Sequence, residues 1–287
     1  MENSQKLDDV DFELPDQLFQ IESLPPFPLL ASILRAFLQA DDNGDIRPLV
    51  SNIEQEPSAM ARVLSVSNSA YYASDVSVKS VRDCVNRLGI TRLKSVVYSL
   101  IISNRFDTKA CPAFDMSLYW YDSMVLAHTA AHITDQLKPH LRLNRNEVYC
   151  IGLLLNIGLL FLVNTAPNKM EHILTSSKSK DISSHIKKHY NEKDQYTIGS
   201  QLLDHWSLPE EFVYTLGQIN NLGYEGNCSE IIWVILLGKA MIKNNFTDID
   251  STNKYAAKLS LSNANCESIL TSSNNDLEWI KAFASNF

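Results

Sequence analysis

Cys150-Ile151-Gly152-Leu153-Leu154-Leu155-Asn156-Ile157-Gly158 is the stretch on which the reading of this chain turns. It lies in an apolar run, residues 151–163, shorter than the ~20 residues that a membrane span needs. The run therefore reads as a core helix, placed over residues 153–162. A second apolar run at 231–242 reads the same way. The polar side chain in the stretch belongs to Asn156, a neutral amide oxygen and a weak ligand for a divalent cation, and Leu155 before it offers no lone pair.

Composition agrees with a helical protein. Glycine supplies 9 of 287 residues, about 3% against an average near 7%. Hairpin turn dipeptides are scarce, Asn43-Gly44 being one candidate, while apolar residues recur at helical spacing. The length exceeds the usual ~100–150-residue domain, so two modules or one large one are expected. A net charge of −8 argues against duplex nucleic acid as a partner, because that binding draws on Lys/Arg against phosphate. The cysteines Cys84, Cys111, Cys150, Cys228 and Cys266 are scattered and contain no CxxC, a reduced, cytoplasmic pattern. No signal peptide or membrane segment is evident, and no Gly-rich phosphate loop.

Along the chain, residues 1–20 form an acidic arm, and Leu24-Pro25-Pro26-Phe27-Pro28 is a stiff extended segment. Helical spacing follows at 29–38, and the 41–44 turn stops it. Asp45 can cap a helix that runs to Glu56, and another spans 58–66. Ser80 to Asp83 and Asn144 to Glu147 resemble capping boxes. Gly89 at an αL position ends the first of these helices, and a further helix covers 92–103. The pattern breaks at 107–112, which is taken as the boundary between an N-terminal helical subdomain (21–112) and a second one (113–287). Polar stretches at 176–180, 244–251 and 272–275 read as connectors. Pro209-Glu210-Glu211 starts a helix, and a short amphipathic helix with Leu277, Ile280 and Phe283 closes the chain.

The ordered set of motifs resembles the HD-related output domain (HDOD) family, degenerate relatives of the HD metal-dependent phosphohydrolases. Over residues 20–240 it rests on Leu24 to Pro28, Ile53-Glu54-Gln55-Glu56-Pro57, Ser67-Asn68-Ser69-Ala70-Tyr71-Tyr72, Ser80 to Gly89, Trp120-Tyr121-Asp122-Ser123, Gly152 to Gly158, Gly199 to Trp206 and Leu208-Pro209. The resemblance implies an all-α fold of two packed helical subdomains, the second like an HD core. It also implies a signalling role in bacteria through protein partners. Where that family's enzymatic relatives carry metal ligands, this chain has Asp122, Leu155-Asn156, Gln195 and Asn220-Asn221. One carboxylate among amides and a leucine cannot hold the ion such hydrolysis needs, so no catalytic residue, metal or cofactor is assigned.

Other features compete with that reading. Lys79, Arg82, Arg87, Arg92 and Lys94 are a candidate anion or partner surface, and with the former cleft they support an alternative: a receptor for a nucleotide or cyclic dinucleotide. His128 with His132, and His185 with His189, stand at the i,i+4 spacing of zinc-binding helices. A phosphohydrolase with a relocated metal is the second alternative, but two histidines fall short of the usual three or four ligands and no third is visible. The Asn68 corner, Tyr71-Tyr72, Trp120 and Trp206 read as structural.

Overall fold

Several helix starts in this chain are written as side-chain caps. Residues 32–33, 36–37, 46–54, 57–69, 78–138, 141, 143–176, 182–246 and 252–287 are described by a computed structural model, and every regular element among them is an α-helix. The acidic arm at 1–20, the 24–28 segment, most of 29–38, the 41–45 turn and cap, Tyr71-Tyr72 and residues 177–180 lie outside the described residues. The N-terminal group comprises α1 (Arg47–Glu54), α2 (Pro57–Ser67), α3 (Val81–Leu88) and α4 (Ile90–Ser103). Ser80 accepts from the Asp83 amide at the start of α3, and Gly89 makes the turn into α4 at φ 75° and ψ 160°, a positive-φ conformation suited to glycine but not the αL one expected. A cap of this kind contributes about 1 kcal/mol.

α5 (Met116–Asp135) begins where the Asp115 carboxylate accepts from the Leu118 amide. Its apolar residues do not keep to one stripe, and Trp120, Met124, Ala127 and Ala131 are fully buried. A helix that is apolar all round must be covered on every side. α5 is covered by α6 (Arg145–Leu154), by α12 (Ser229–Lys243) and by α14 (Asn263–Ala284). Between these lie α7 (Ile157–Thr165), α8 (Pro167–Ser176), α9 (Ile182–His189), α10 (Gln195–His205), α11 (Glu210–Gln218) and α13 (Asn253–Lys258). α7 packs on α10, and α10 on α11. α4 joins the N-terminal group to the rest: Trp120 Nε1 donates to Ser103 Oγ at 2.8 Å, and Ser95 bonds Tyr149. One continuous core of buried apolar side chains runs from Ile33 to Ala284. The apolar stretch 145–165 is mostly buried within it, as expected of a core segment.

Two expectations are corrected. The helix placed over 153–162 is broken: α6 ends at Leu154, and Asn156 (φ −97°, ψ 16°) restarts the chain as α7. The polar stretch 272–275 is not a connector. It lies inside α14, whose Ser262 and Asn265 form a reciprocal capping box and whose outer face is polar because its inner face covers α5.

The start of α6 carries a titratable group with a stability consequence. Burial, reinforced by the charge of Glu211, pushes the Glu147 carboxyl up to about 7. The native state therefore holds this proton more tightly than the unfolded chain, whose glutamates titrate near ~4.3. Between these values the folded protein binds more protons, so stability falls as pH rises through the window. Glu147→Gln is expected to raise stability by about 1–2 kcal/mol near pH ~8, allowing for partial exposure, and to change little near pH ~4. Urea titrations at the two pH values check this.

Candidate functional site

The positions that the resemblance assigns to HD ligands are engaged in packing. Leu155 is 1% exposed and belongs to the apolar core. Asn156 is partly buried at the break between α6 and α7. Gln195, the first residue of α10, donates from Nε2 to Ser183 Oγ at 2.7 Å, and its buried Oε1 has no hydrogen-bond partner among the described residues. Asp194 before it caps α10 through the Tyr196 and Thr197 amides and takes a 2.6 Å bond from Asn220 Nδ2. Asn220 thus ties the end of α11 to the start of α10. Asn221 is exposed and bonds Gln218. Asp122 is exposed by area, yet the protein packed behind its carboxyl raises it by desolvation to about 6. A leucine, four amides and one carboxylate of raised pKa do not fit an HD-type divalent ion.

The basic residues do not share one face. Lys79 and Arg82 are exposed. Arg87 turns to the corner before the N-terminal group's next helix, donating to Ser67 O at 3.2 Å, while Asn68 brackets the Val78 backbone with bonds of 2.9 and 2.7 Å. Arg92 lies over the Trp279 ring, 5.3 Å from its centroid, with Asp276 Oδ1 at 3.9 Å. Lys94 is fully buried, bonded to Asn146 and 5.6 Å from the Phe37 centroid. The spacing of these residues in sequence hid the inward turn of Lys94, which follows from its place on the α4 face that meets α6.

The histidine pairs part company. His185 and His189 lie on α9 near Lys169, His172 and Lys188, and burial together with these cationic neighbours lowers the His189 ring. Such surroundings oppose a metal cation. His128 and His132 lie on α5 and meet a third donor that the sequence reading lacked: Asp276 of α14, 148 residues from His128. Asp276 Oδ2 takes His128 Nδ1 at 3.0 Å and His132 Nε2 at 2.8 Å. Burial works against the Asp276 charge, but the two imidazole hydrogen bonds outweigh it and hold the carboxyl below the usual carboxylate range. Burial lowers the His128 ring, although its bond to Asp276 opposes that shift. Beyond this contact, His128 Nε2 stands 3.4 Å from Ser95 Oγ, and His132 Nδ1 stands 3.9 Å from Asp135 Oδ2. Arg145 grips both oxygens of Asp135 at 2.9 and 3.0 Å. The three side chains line a cavity of about 230 Å³ walled also by Gly89, Arg92 and Arg145. Among the described residues no other group of three His, Cys, Asp or Glu donors lies within mutual reach of one ion.

With this geometry in hand, comparison places the chain among known proteins. The HDOD domain profile matches residues 24–222. A comparison with curated protein sequences gives no match. The fold resembles a Marinobacter aquaeolei protein provisionally described as a signal transduction protein, at a TM-score of 0.77 and 23% identity, covering 92% of this chain and 60% of that one. It also resembles a Shewanella amazonensis protein provisionally described as a phosphohydrolase, at 0.67 and 18%, covering 91% of this chain and 96% of that one. The MmoQ response regulator of Methylococcus capsulatus follows at 0.52 and 20%, covering 84% and 96%. At these identities the likeness shows the all-α fold, and this chain spans 60% of the length of the Marinobacter protein.

Proposed function

Since the chain belongs to the HDOD domain family, we propose that it is a non-catalytic regulatory module of a bacterial, cytoplasmic signalling pathway and acts by binding protein partners. One observation carries this reading. The positions that would hold an HD-type ion are spent on structure: Leu155 fills core, Gln195 bonds Ser183 and Asn220 bonds the cap of α10. Without an ion, this fold has nothing at that point to lower the pKa of water or to offset phosphate charge. The names of two structural relatives, a signal transduction protein and a response regulator, support the same direction. The name of the third leaves hydrolysis as the reading to exclude.

Two measurements test the proposal. Purified untagged protein, supplied in turn with manganese, iron, nickel and magnesium, is expected to release no phosphate above the buffer blank from phosphomonoesters, nucleotides and cyclic dinucleotides. Cross-linking in the native host is expected to return a reproducible protein partner. Metal-dependent turnover that disappears in Asp122→Ala would defeat the non-catalytic reading. A nucleotide receptor is the second reading. It is favoured by the Arg92 and Arg145 side chains that line one cavity. Calorimetry against a nucleotide and cyclic dinucleotide panel separates it from the first, and flat heats would dismiss it.

A further inference from the structure

We infer that His128, His132 and Asp276 form a divalent-metal site of the zinc class, away from the positions where the family resemblance would put one. This inference does not rest on the signalling proposal. The set has two imidazoles and one carboxylate, three protein ligands of the kind that hold zinc with a further position left open. The ligand atoms already converge. One donor atom from each of the three residues lies within 4.8 Å of the others, and His128 Nδ1 and His132 Nε2 stand 3.0 and 2.8 Å from Asp276 Oδ2. Ligands about 2.0–2.1 Å from a tetrahedral ion stand ~3.3 Å apart, so loading needs a separation of about half an ångström. His132 and Asp276 have side chains 20% and 17% exposed and can make that shift.

The second nitrogen of each ring separates this set from a chance cluster. A metal-bound imidazole uses one nitrogen as a lone pair and donates N–H from the other to an oxygen that fixes its tautomer and orientation. His128 presents Nε2 to Ser95 Oγ at 3.4 Å, and Ser95 is itself anchored to Tyr149. His132 presents Nδ1 toward Asp135, which Arg145 holds with two bonds. The His128 ring is wedged between the edge of Tyr149 and Trp279, with centroids 5.4 and 5.7 Å away, so its direction is set before any ion arrives. The cavity beside the three residues gives an entry path and room for the remaining ligand.

Arg92 and Arg145 oppose a bare cation there. The same two charges favour a water or a small anion as the outer ligand, which reduces the net charge of the loaded site. An ion at this point would bridge α5 and α14 and so clamp the last helix of the chain onto its central one. Metal loading would then add to folding stability, because the ligands are brought together only in the folded state.

The test uses full-length untagged protein in metal-free buffer. Zinc calorimetry is expected to give one ion per chain, and cobalt is expected to give visible absorption bands of a low-coordinate nitrogen and oxygen site. His132→Ala and Asp276→Asn should each weaken zinc binding by more than about 100-fold, since even partners one shell out cost ~10–100-fold. Ser95→Ala should cost roughly 10-fold by loosening the His128 ring. The double variant His185→Ala/His189→Ala should bind like the wild type. Zinc should raise the Tm of the wild type and leave that of Asp276→Asn unchanged. Absence of stoichiometric binding, a cobalt spectrum like that of the free aqueous ion, or equal affinity in wild type and Asp276→Asn would overturn the assignment. Should Asp276→Asn fail to fold, His132→Ala and the wild-type cobalt spectrum still decide.

Discussion

Gly158→Ala is expected to destabilise the protein by about 3 kcal/mol or more, the upper end of what an added methyl costs in a packed core. A Cβ at Gly158 would stand 2.0 Å from the Gln195 carbonyl oxygen and 2.6 Å from the Gly199 amide nitrogen. Both are backbone atoms, so no rotamer change relieves the overlap, and α7 must draw away from α10. That separation loosens Ile157, Ile198 and Leu202, all fully buried. In a chain this long a loss of that size corresponds to a Tm lower by roughly 6–12 °C. Gly223→Ala is the control, because its Cβ would meet nothing closer than Asn221 Oδ1 at 3.6 Å. Calorimetric scans of the two variants check the prediction, and equal transitions would show that the helices are not in the close contact described.

Trp279→Ala is expected to cost about 3–5 kcal/mol, the range for removing a large aromatic from a core. The indole is 1% exposed and stacks on Phe283 with centroids 5.7 Å apart and planes 9° from parallel. It also lies against the His128 ring and beneath the Arg92 guanidinium. The substitution therefore removes packing between α14 and α5 together with the contact between α14 and α4. Urea unfolding followed by far-ultraviolet dichroism measures the loss. Trp279→Phe, which keeps an aromatic face, is expected to retain most of the stability.

Local chemistry made much of the fold legible from sequence. Ser80, Asp115, Asn144, Asp194 and Ser262 all cap helices, and each carries a short side-chain acceptor that reaches amides two or three residues on. The Asn144 and Ser80 starts were readable for that reason. The break at Asn156 was not, because a run that is apolar on every side has no phase from which a change of direction can be read. The 272–275 stretch misled for the opposite reason: Ser272, Asn274 and Asn275 keep outside positions while Ser273 is buried on the inner side of α14. The His128–His132 pair was visible as a spacing, but its third member was not. Nothing in the sequence near Asp276 points across 148 residues to α5, and only the packing of α14 on α5 brings them together. Likewise, the density of charge at 79–94 was visible, while the burial of Lys94 depended on which face of α4 meets α6.

The contact between Trp279 and His128 also has an optical consequence. Indole emission responds to the polarity and the hydrogen-bonding groups packed against the ring, and the His128 ring lies 5.7 Å from it between centroids. The fluorescence of the native chain, compared with that of Trp279→Phe, therefore carries a reporter built into the seam between α5 and α14. A partner that lifts α14 would announce itself as a change in brightness, with no dye attached.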